Sequence, residues 1–292
     1  MKTGLGAFSK RLPWWLKMWS KVALSRLPVT YQAWQRIGIF RHGQMDSPDY
    51  ALRVFDLHVK NCGMQGALNG KSVLELGPGD SVATAILACS YGARAILVDT
   101  GRFASNQPVL YKRLAHELNR RGLKPPLLDG ADDIEEIVRL CGASYLTGGL
   151  HDMKKIPYQS VDLIFSQAVL EHVRRHEFNE VMQESCRVLK ATGAASHVID
   201  LKDHLGGAAN NLRLSHRLWE SDVLSSSGFY TNRLRCSEVL DRMTKAGFKI
   251  KHLAKHKHDR LPIARAQVHP DIFIESDDDL LVRDVEVVLV RA

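Results

Sequence analysis

"VLELGPGDS", Val73 to Ser81, threads apolar residues around an acid and runs them into Gly77-Pro78-Gly79. A short β-rich run that stops at a glycine turn reads as a buried strand feeding a ligand loop. Outward from it, Val82 to Tyr91 reads as a helix and Ala95 to Val98 as a second buried strand. "VDLIF", Val161 to Phe165, is a further strand, followed by a helix near Glu177 to Leu189 and a strand at Ala194 to Ile199. Ser237 to Ala246 reads as a helix that Gly247 terminates. "FKIKHLAKH" and "VEVVLVRA" alternate as strands with no strong helix between them, which allows an antiparallel hairpin. Strands separated by helices predict a mostly parallel sheet covered on both faces.

The 292 residues, 45% of them apolar, suit one large α/β domain with extra segments. Five scattered cysteines form no CxxC pair, which gives no zinc signature and suits a reducing compartment; all five read as packing residues. No window approaches the ~18 unbroken apolar residues of a membrane span, and no signal peptide is legible at the N-terminus. The expected location is cytoplasmic. The net charge of +8 is carried by Lys2, Lys10, Arg11, Lys17, Lys21, Arg26, Arg36 and Arg41, all of which precede the first acid, Asp46. Within this arm, Arg11 to Pro28 has the pattern of an amphipathic helix. Its tryptophans either pack on the main domain while its lysines stay solvated, or they make peripheral contact with the inner face of an anionic membrane. No nucleic-acid-binding motif follows the arm, so nucleic acid is not an expected partner.

The glycine loop discriminates between cofactors. A dinucleotide fingerprint needs a third glycine, and Val82 occupies that position; no P-loop pattern is present there either. Glu75 and Asp80 flank the turn, where two carboxylates repel a pyrophosphate and attract a cation. Asp99 follows the second strand, where a carboxylate can accept from both hydroxyls of a ribose.

These stretches resemble the class I S-adenosylmethionine (SAM)-dependent methyltransferases. "VLELGPGDS" is similar to the family's first motif, "ILVDTG" to its second, and "HDMKKIPYQSVDLIFSQAVLEHV" to a later stretch; the likeness runs from about Lys71 to Ile199. It implies a Rossmann-like doubly wound fold with seven strands, mostly parallel with an antiparallel last strand, and SAM as cofactor. It divides the chain into a basic helical extension over residues 1–69 and a methyltransferase domain over 70–292, with a substrate lid inserted at about 203–236. By the resemblance, Glu75, Gly77, Gly79 and the adjoining Asp80 meet the methionine moiety, and Asp99 with neighbouring Thr100 meets the ribose. Asp152 takes the adenine amino group with Met153 beside the ring, and Ser166 and Gln167 form the floor under the sulfonium. Pro78 departs from the usual small residue and removes a backbone donor.

On the acceptor side, "SHVIDLKDHLGG" brings His197, Asp200, Asp203 and His204 to the end of a central strand. A hydroxyl acceptor needs a base, for which His204 is the first candidate, with Asp200 or Asp203 orienting it; His172 is the second. Loop capping and a divalent metal site are the competing readings of this segment, and no metal ligand set is assigned. His197 and Asp200 are three apart, so on a strand they face opposite sides. Arg213, Arg217, Arg233 and Arg235, with Trp219, Phe229 and Tyr230, suit either a ligand bearing phosphates or carboxylates together with a sugar or ring face, or a helical lid whose arginines reach solvent. "IDLKDH" and "YTNRLRCSE" resemble bacterial methyltransferases of surface polysaccharide synthesis, which implies a sugar or glycan-precursor hydroxyl as acceptor. The alternatives are a lipid, quinone or amine acceptor, or SAM binding without catalysis at a membrane.

Overall fold

The computed structural model describes residues 13–25, 47–206 and 208–292. Lys2, Lys10, Arg11, Arg26, Arg36 and Arg41 of the basic arm, both ends of the Arg11 to Pro28 segment, and Gly207 lie outside the described residues. The strands are β1 (Ser72–Leu76), β2 (Arg94–Val98), β3 (Ser144–Leu146), β4 (Val161–Gln167), β5 (Leu189–Asp200), β6 (Phe248–Lys257) and β7 (Val282–Arg291). They form one seven-stranded sheet in the order β3-β2-β1-β4-β5-β7-β6. β1 to β5 pair in parallel, while β7 runs antiparallel to both β5 and β6. The expected seven strands and the expected antiparallel last strand are both present.

The longer helices are α1 (Trp14–Ser25), α2 (Pro48–Asn61), α3 (Ala83–Ser90), α4 (Pro108–Arg120), α5 (Ile134–Leu140), α6 (Phe178–Val188) and α7 (Cys236–Lys245). All five positions of β1 are buried, because successive side chains enter opposite layers. Val73 joins the core that holds Phe55, Ile86 and Leu118. Leu74 and Leu76 join the core of Phe178, Met182 and Met243 on the other face. Ala51, Val54, Phe55 and Val59 of α2 lie inside the first core. The five cysteines are unpaired, and all but Cys89 are buried.

Of the three tryptophans of α1, Trp14 packs on the domain, partly buried against the cluster of Trp219 and Phe229. The buried residues of α1 are Met18 and Val22, in a cluster with Trp219, Leu224 and Phe229, while Trp15 and Trp19 are exposed. Lys21 is not simply solvated: its Nζ donates to the His204 carbonyl at 2.7 Å, and burial lowers the pKa of its ammonium.

The inserted segment also corrects an expectation. Arg233 and Arg235 are buried and serve the fold instead of a ligand. Arg235 donates to the carbonyls of Leu201 at 2.8 Å, Asp279 at 3.2 Å and Leu280 at 3.3 Å, and to that of Val282. Arg233 donates to the carbonyls of Asn211 and Leu214 and stacks over Trp219. Arg213 donates to Asn210 and Gln267, and Arg217 is exposed. These buried guanidiniums are tolerated because their terminal nitrogens find backbone carbonyls, although the Nε of each has no partner among the described residues. Arg235→Ala leaves those carbonyls without their donor and is expected to lower unfolding free energy by about 3 kcal/mol or more. A denaturant midpoint equal to that of the unaltered chain contradicts this assignment.

Candidate functional site

Strand order reverses between β2-β1 and β4-β5, so the loops that leave β1 and β4 bound a crevice at the carboxyl ends of the strands. Their approach is close. Gly77 has φ +68°, and a Cβ placed on it would lie 2.5 Å from Val169 Cγ1 in the loop after β4. Glycine is required there by conformation and by space. Gly79, also at positive φ, donates its N–H to Asp99 Oδ2 at 3.0 Å, and Asp99 Oδ1 accepts from Thr100 N at 2.7 Å. Asp99 thereby ties the first loop to the second. Asp80 is half-buried, its carbonyl accepting from Ser105 N, and Thr100 is exposed beside Asp99.

Glu75 behaves differently from a surface acid. It is buried, its Oε2 has no hydrogen-bond partner among the described residues, and burial pushes its carboxyl up to about 8. At neutral pH the carboxyl carries a proton, so the negative cradle read from the sequence is latent at Glu75. A bound ammonium or sulfonium favours the ionised form.

Asp152 and Met153 lie on a one-turn helix after β3. Asp152 accepts from Gly148 N at 2.7 Å and pairs with Lys155; the Lys155 ammonium holds its pKa below the usual value. Met153 is buried in the core. Ser166 and Gln167 end β4 and sit over buried imidazoles. Ser166 Oγ meets His197 Nδ1 at 2.8 Å, and Gln167 Oε1 meets His58 Nε2 at 3.1 Å. His58 Nδ1 meets Ser196 Oγ at 2.8 Å. Burial lowers His58 to about 4 and His197 to about 3, so both are neutral. The carbonyl of Gln167 can only accept, which puts the His58 proton on Nε2. His58 escaped the sequence reading: it lies on the apolar face of α2, where a histidine carries no motif.

Three of the candidate acceptor-side residues do not form the expected dyad. Asp203 spends its carboxylate on its own loop, accepting from the N–H groups of Leu205, Ala208 and Asn210 and from Asn210 Nδ2. It is a loop cap. Asp200 accepts from Lys202 N and pairs with Lys202 Nζ at 3.0 Å. His204 is half-buried, and burial lowers its pKa. Its ring lies 4.9 Å from that of His172, centroid to centroid, so the two histidine candidates share one place. His172 Nδ1 meets the Tyr230 carbonyl at 2.7 Å. Asn232 fixes the same loop through its N–H to Glu171 O and its side-chain amide to Leu170 O and Val173 O. The role of "YTN", Tyr230 to Asn232, as a strap on the β4 loop is one that sequence spacing did not signal.

Residues 74–196 match the family model of a methyltransferase domain. The match takes in β1 to β5, whose loops bound the crevice, and supports a methyltransferase with SAM as its methyl donor. No curated protein matches the chain. Among solved structures, geranyl diphosphate C-methyltransferase from Streptomyces coelicolor A3(2) is similar at 14% identity, over 92% of this chain and 88% of that one, with a TM-score of 0.47. The PH0226 protein from Pyrococcus horikoshii OT3 is similar at 12% identity, over 90% and 100%, with a TM-score of 0.47. A SAM-dependent methyltransferase from Methanosarcina mazei is similar at 15% identity, over 76% and 93%, with a TM-score of 0.41. The methyltransferase crevice fits a donor with a cationic end: the buried Glu75 oxygen lacks a partner, and the Gly77 turn leaves no room for a side chain.

Two buried carboxyls set a pH dependence in this domain. Glu75 and Glu171 each rise from 4.5 to about 8 on burial. Each therefore contributes stability that is complete below pH 4.5 and is lost as pH rises through about 8. His58 and His197 act oppositely, but only below their usual value of 6.5. Between pH 6.5 and 8 the carboxyls dominate, and the chain without SAM is expected to lose about 1–2 kcal/mol per carboxyl. Glu75→Gln should roughly halve that slope in denaturant titrations; an unchanged slope contradicts the burial of a protonated Glu75.

Proposed function

We propose that this methyltransferase domain transfers a methyl group to the hydroxyl of a sugar or a cell-surface glycan precursor. SAM supplies an electrophilic methyl carbon on a sulfonium. In this reading Glu75 and the Gly77–Gly79 turn hold the methionine end, Asp99 and Thr100 the ribose, and Asp152 with Met153 the adenine. The floor of Ser166, Gln167, His58 and His197 is neutral and largely buried, so it excludes water without offering a competing nucleophilic anion. Much of the catalysis is alignment of the acceptor behind the methyl carbon.

The observation that carries the hydroxyl assignment is the pairing of His172 and His204 beyond the carboxyl ends of β4 and β5. A hydroxyl must lose its proton during transfer, and burial holds the His204 imidazole towards its neutral, proton-accepting form. The carbohydrate assignment rests on the resemblance of "IDLKDH" and "YTNRLRCSE"; the buried Arg233 and Arg235 lend it no anion site. Peripheral membrane contact by α1 is part of the same proposal, supported by its exposed Trp15 and Trp19.

Asp99→Ala is expected to weaken SAM binding by about 2–3 kcal/mol, read by calorimetry, through loss of charge-assisted hydrogen bonds. Unchanged affinity overturns the ribose assignment. With glycan acceptors, His204→Ala should cut kcat by about 100-fold or more while SAM affinity stays within a few-fold. Full turnover in that variant favours an amine acceptor, and SAM binding with no S-adenosylhomocysteine formed on any acceptor favours binding without catalysis.

A further inference from the structure

Glu171, His172 and His204 bring three potential ligand atoms within 4.8 Å of one another, one carboxylate oxygen and two imidazole nitrogens. Glu171 is buried, and neither of its carboxylate oxygens has a hydrogen-bond partner of good geometry among the described residues, the backbone N–H groups of Glu171 and Asp200 acting on it only weakly against the cost of burial. A buried carboxyl with no partner is costly, and most buried polar groups have one. This side chain therefore points to a ligand that the protein itself does not provide.

The neighbouring geometry agrees. The Tyr230 carbonyl can only accept, so His172 Nδ1 carries the proton in the 2.7 Å contact between them. The lone pair of the neutral ring is then on Nε2. A backbone carbonyl on one imidazole nitrogen is the usual way a protein orients the other toward a metal. The strap from Asn232 holds the Glu171 backbone, and the Asp203 cap holds the turn that carries His204. Both ligand loops are thus built before any ion arrives. The local charge is balanced: Lys21 and Lys202 act on His204, and so do Asp200 and Asp203.

We propose that Glu171, His172 and His204 bind one divalent transition metal ion of the zinc class at the acceptor mouth. Two nitrogens and one oxygen suit zinc, cobalt or nickel, whereas magnesium and calcium prefer oxygen donors throughout. Zinc bonds of about 2.0–2.2 Å need these atoms to draw closer together than their present separations of up to 4.8 Å. Three protein ligands leave a position open for an oxygen from outside, as in zinc sites that act on substrates. The inference goes beyond the methyl-transfer reading: one lone pair on His204 cannot hold an ion and take a proton at once, so loading converts His204 from base to ligand.

The test uses the full chain, untagged, stripped with a chelator and titrated with cobalt(II). One cobalt per chain is expected, with visible d–d absorption that zinc abolishes on displacement. Glu171→Gln, which keeps the side-chain shape, and His204→Ala should each weaken cobalt binding by at least the ~10–100-fold that loss of even an outer partner costs. His176→Ala, at an exposed histidine outside the cluster, should leave it unchanged. Absence of the absorption bands, or equal affinity in Glu171→Gln and the unaltered chain, overturns the proposal. SAM calorimetry on the same samples separates the two readings. SAM binding without cobalt binding removes the metal alone, and loss of SAM binding in the unaltered chain removes the cofactor assignment.

Discussion

The contact between Gly77 and Val169 is the constraint on which the crevice depends. It is made where the strand order reverses, and it sets the loop after β1 against the loop after β4 with no room for a side chain between them. Because the first loop turns at positive φ, the Gly79 N–H comes within reach of Asp99 at the end of β2. Three strand ends are thereby registered by one close approach and one charge-assisted hydrogen bond. Any bulk at residue 77 would separate the two loops before it altered a single cofactor contact.

Behind this junction the protein buries ionisable groups that it keeps neutral. Glu75 and Glu171 retain protons near neutral pH, while His58 and His197 refuse them. Neutral groups in a dry layer leave no fixed field to compete with the charge of an arriving ligand, whose interactions are strengthened by the same low dielectric. Asp99, at the rim, differs: two backbone N–H groups reach its carboxylate. The crevice thus separates a rim built to meet polar groups from a floor whose carboxyls ionise only when something compensates them.

Much of this was legible in the sequence, for physical reasons that also explain what was not. β1 and β4 declare themselves because strands buried on both faces are mostly apolar, each here carrying one acid, Glu75 or Asp162, and the glycine turn because only glycine fits its conformation. The antiparallel β7 follows from two alternating strands with no long helix between them, only the short turns at Arg265–Gln267 and Asp277–Leu281. The buried arginines were misread because a guanidinium that serves four carbonyls looks, in one dimension, like one that awaits a phosphate. His58 was invisible for the converse reason: on an amphipathic helix it resembles any half-polar surface residue, and only the fold sets it against Ser196 and Gln167. In the dyad, spacing brought Asp203 near His204, but the backbone N–H groups of its own turn were closer partners.

The inserted segment couples these layers. Trp219, Phe229 and Tyr230 pack beneath α1, and the Trp219 indole donates to the Thr231 carbonyl at 2.7 Å. The chain next passes Asn232, which grips the β4 loop, and reaches Arg235, which gathers the carbonyls of Leu201 and the turn before β7. From Trp219 to Arg235, one stretch therefore joins the N-terminal helix, the loop bearing Glu171 and His172, and the end of β5 that leads to His204. A ligand that moves the histidine pair must also load this stretch, and through Lys21, bonded to the His204 carbonyl, it must load α1. The His172–His204 pair and the surface helix with its exposed tryptophans are thus two ends of one packed unit.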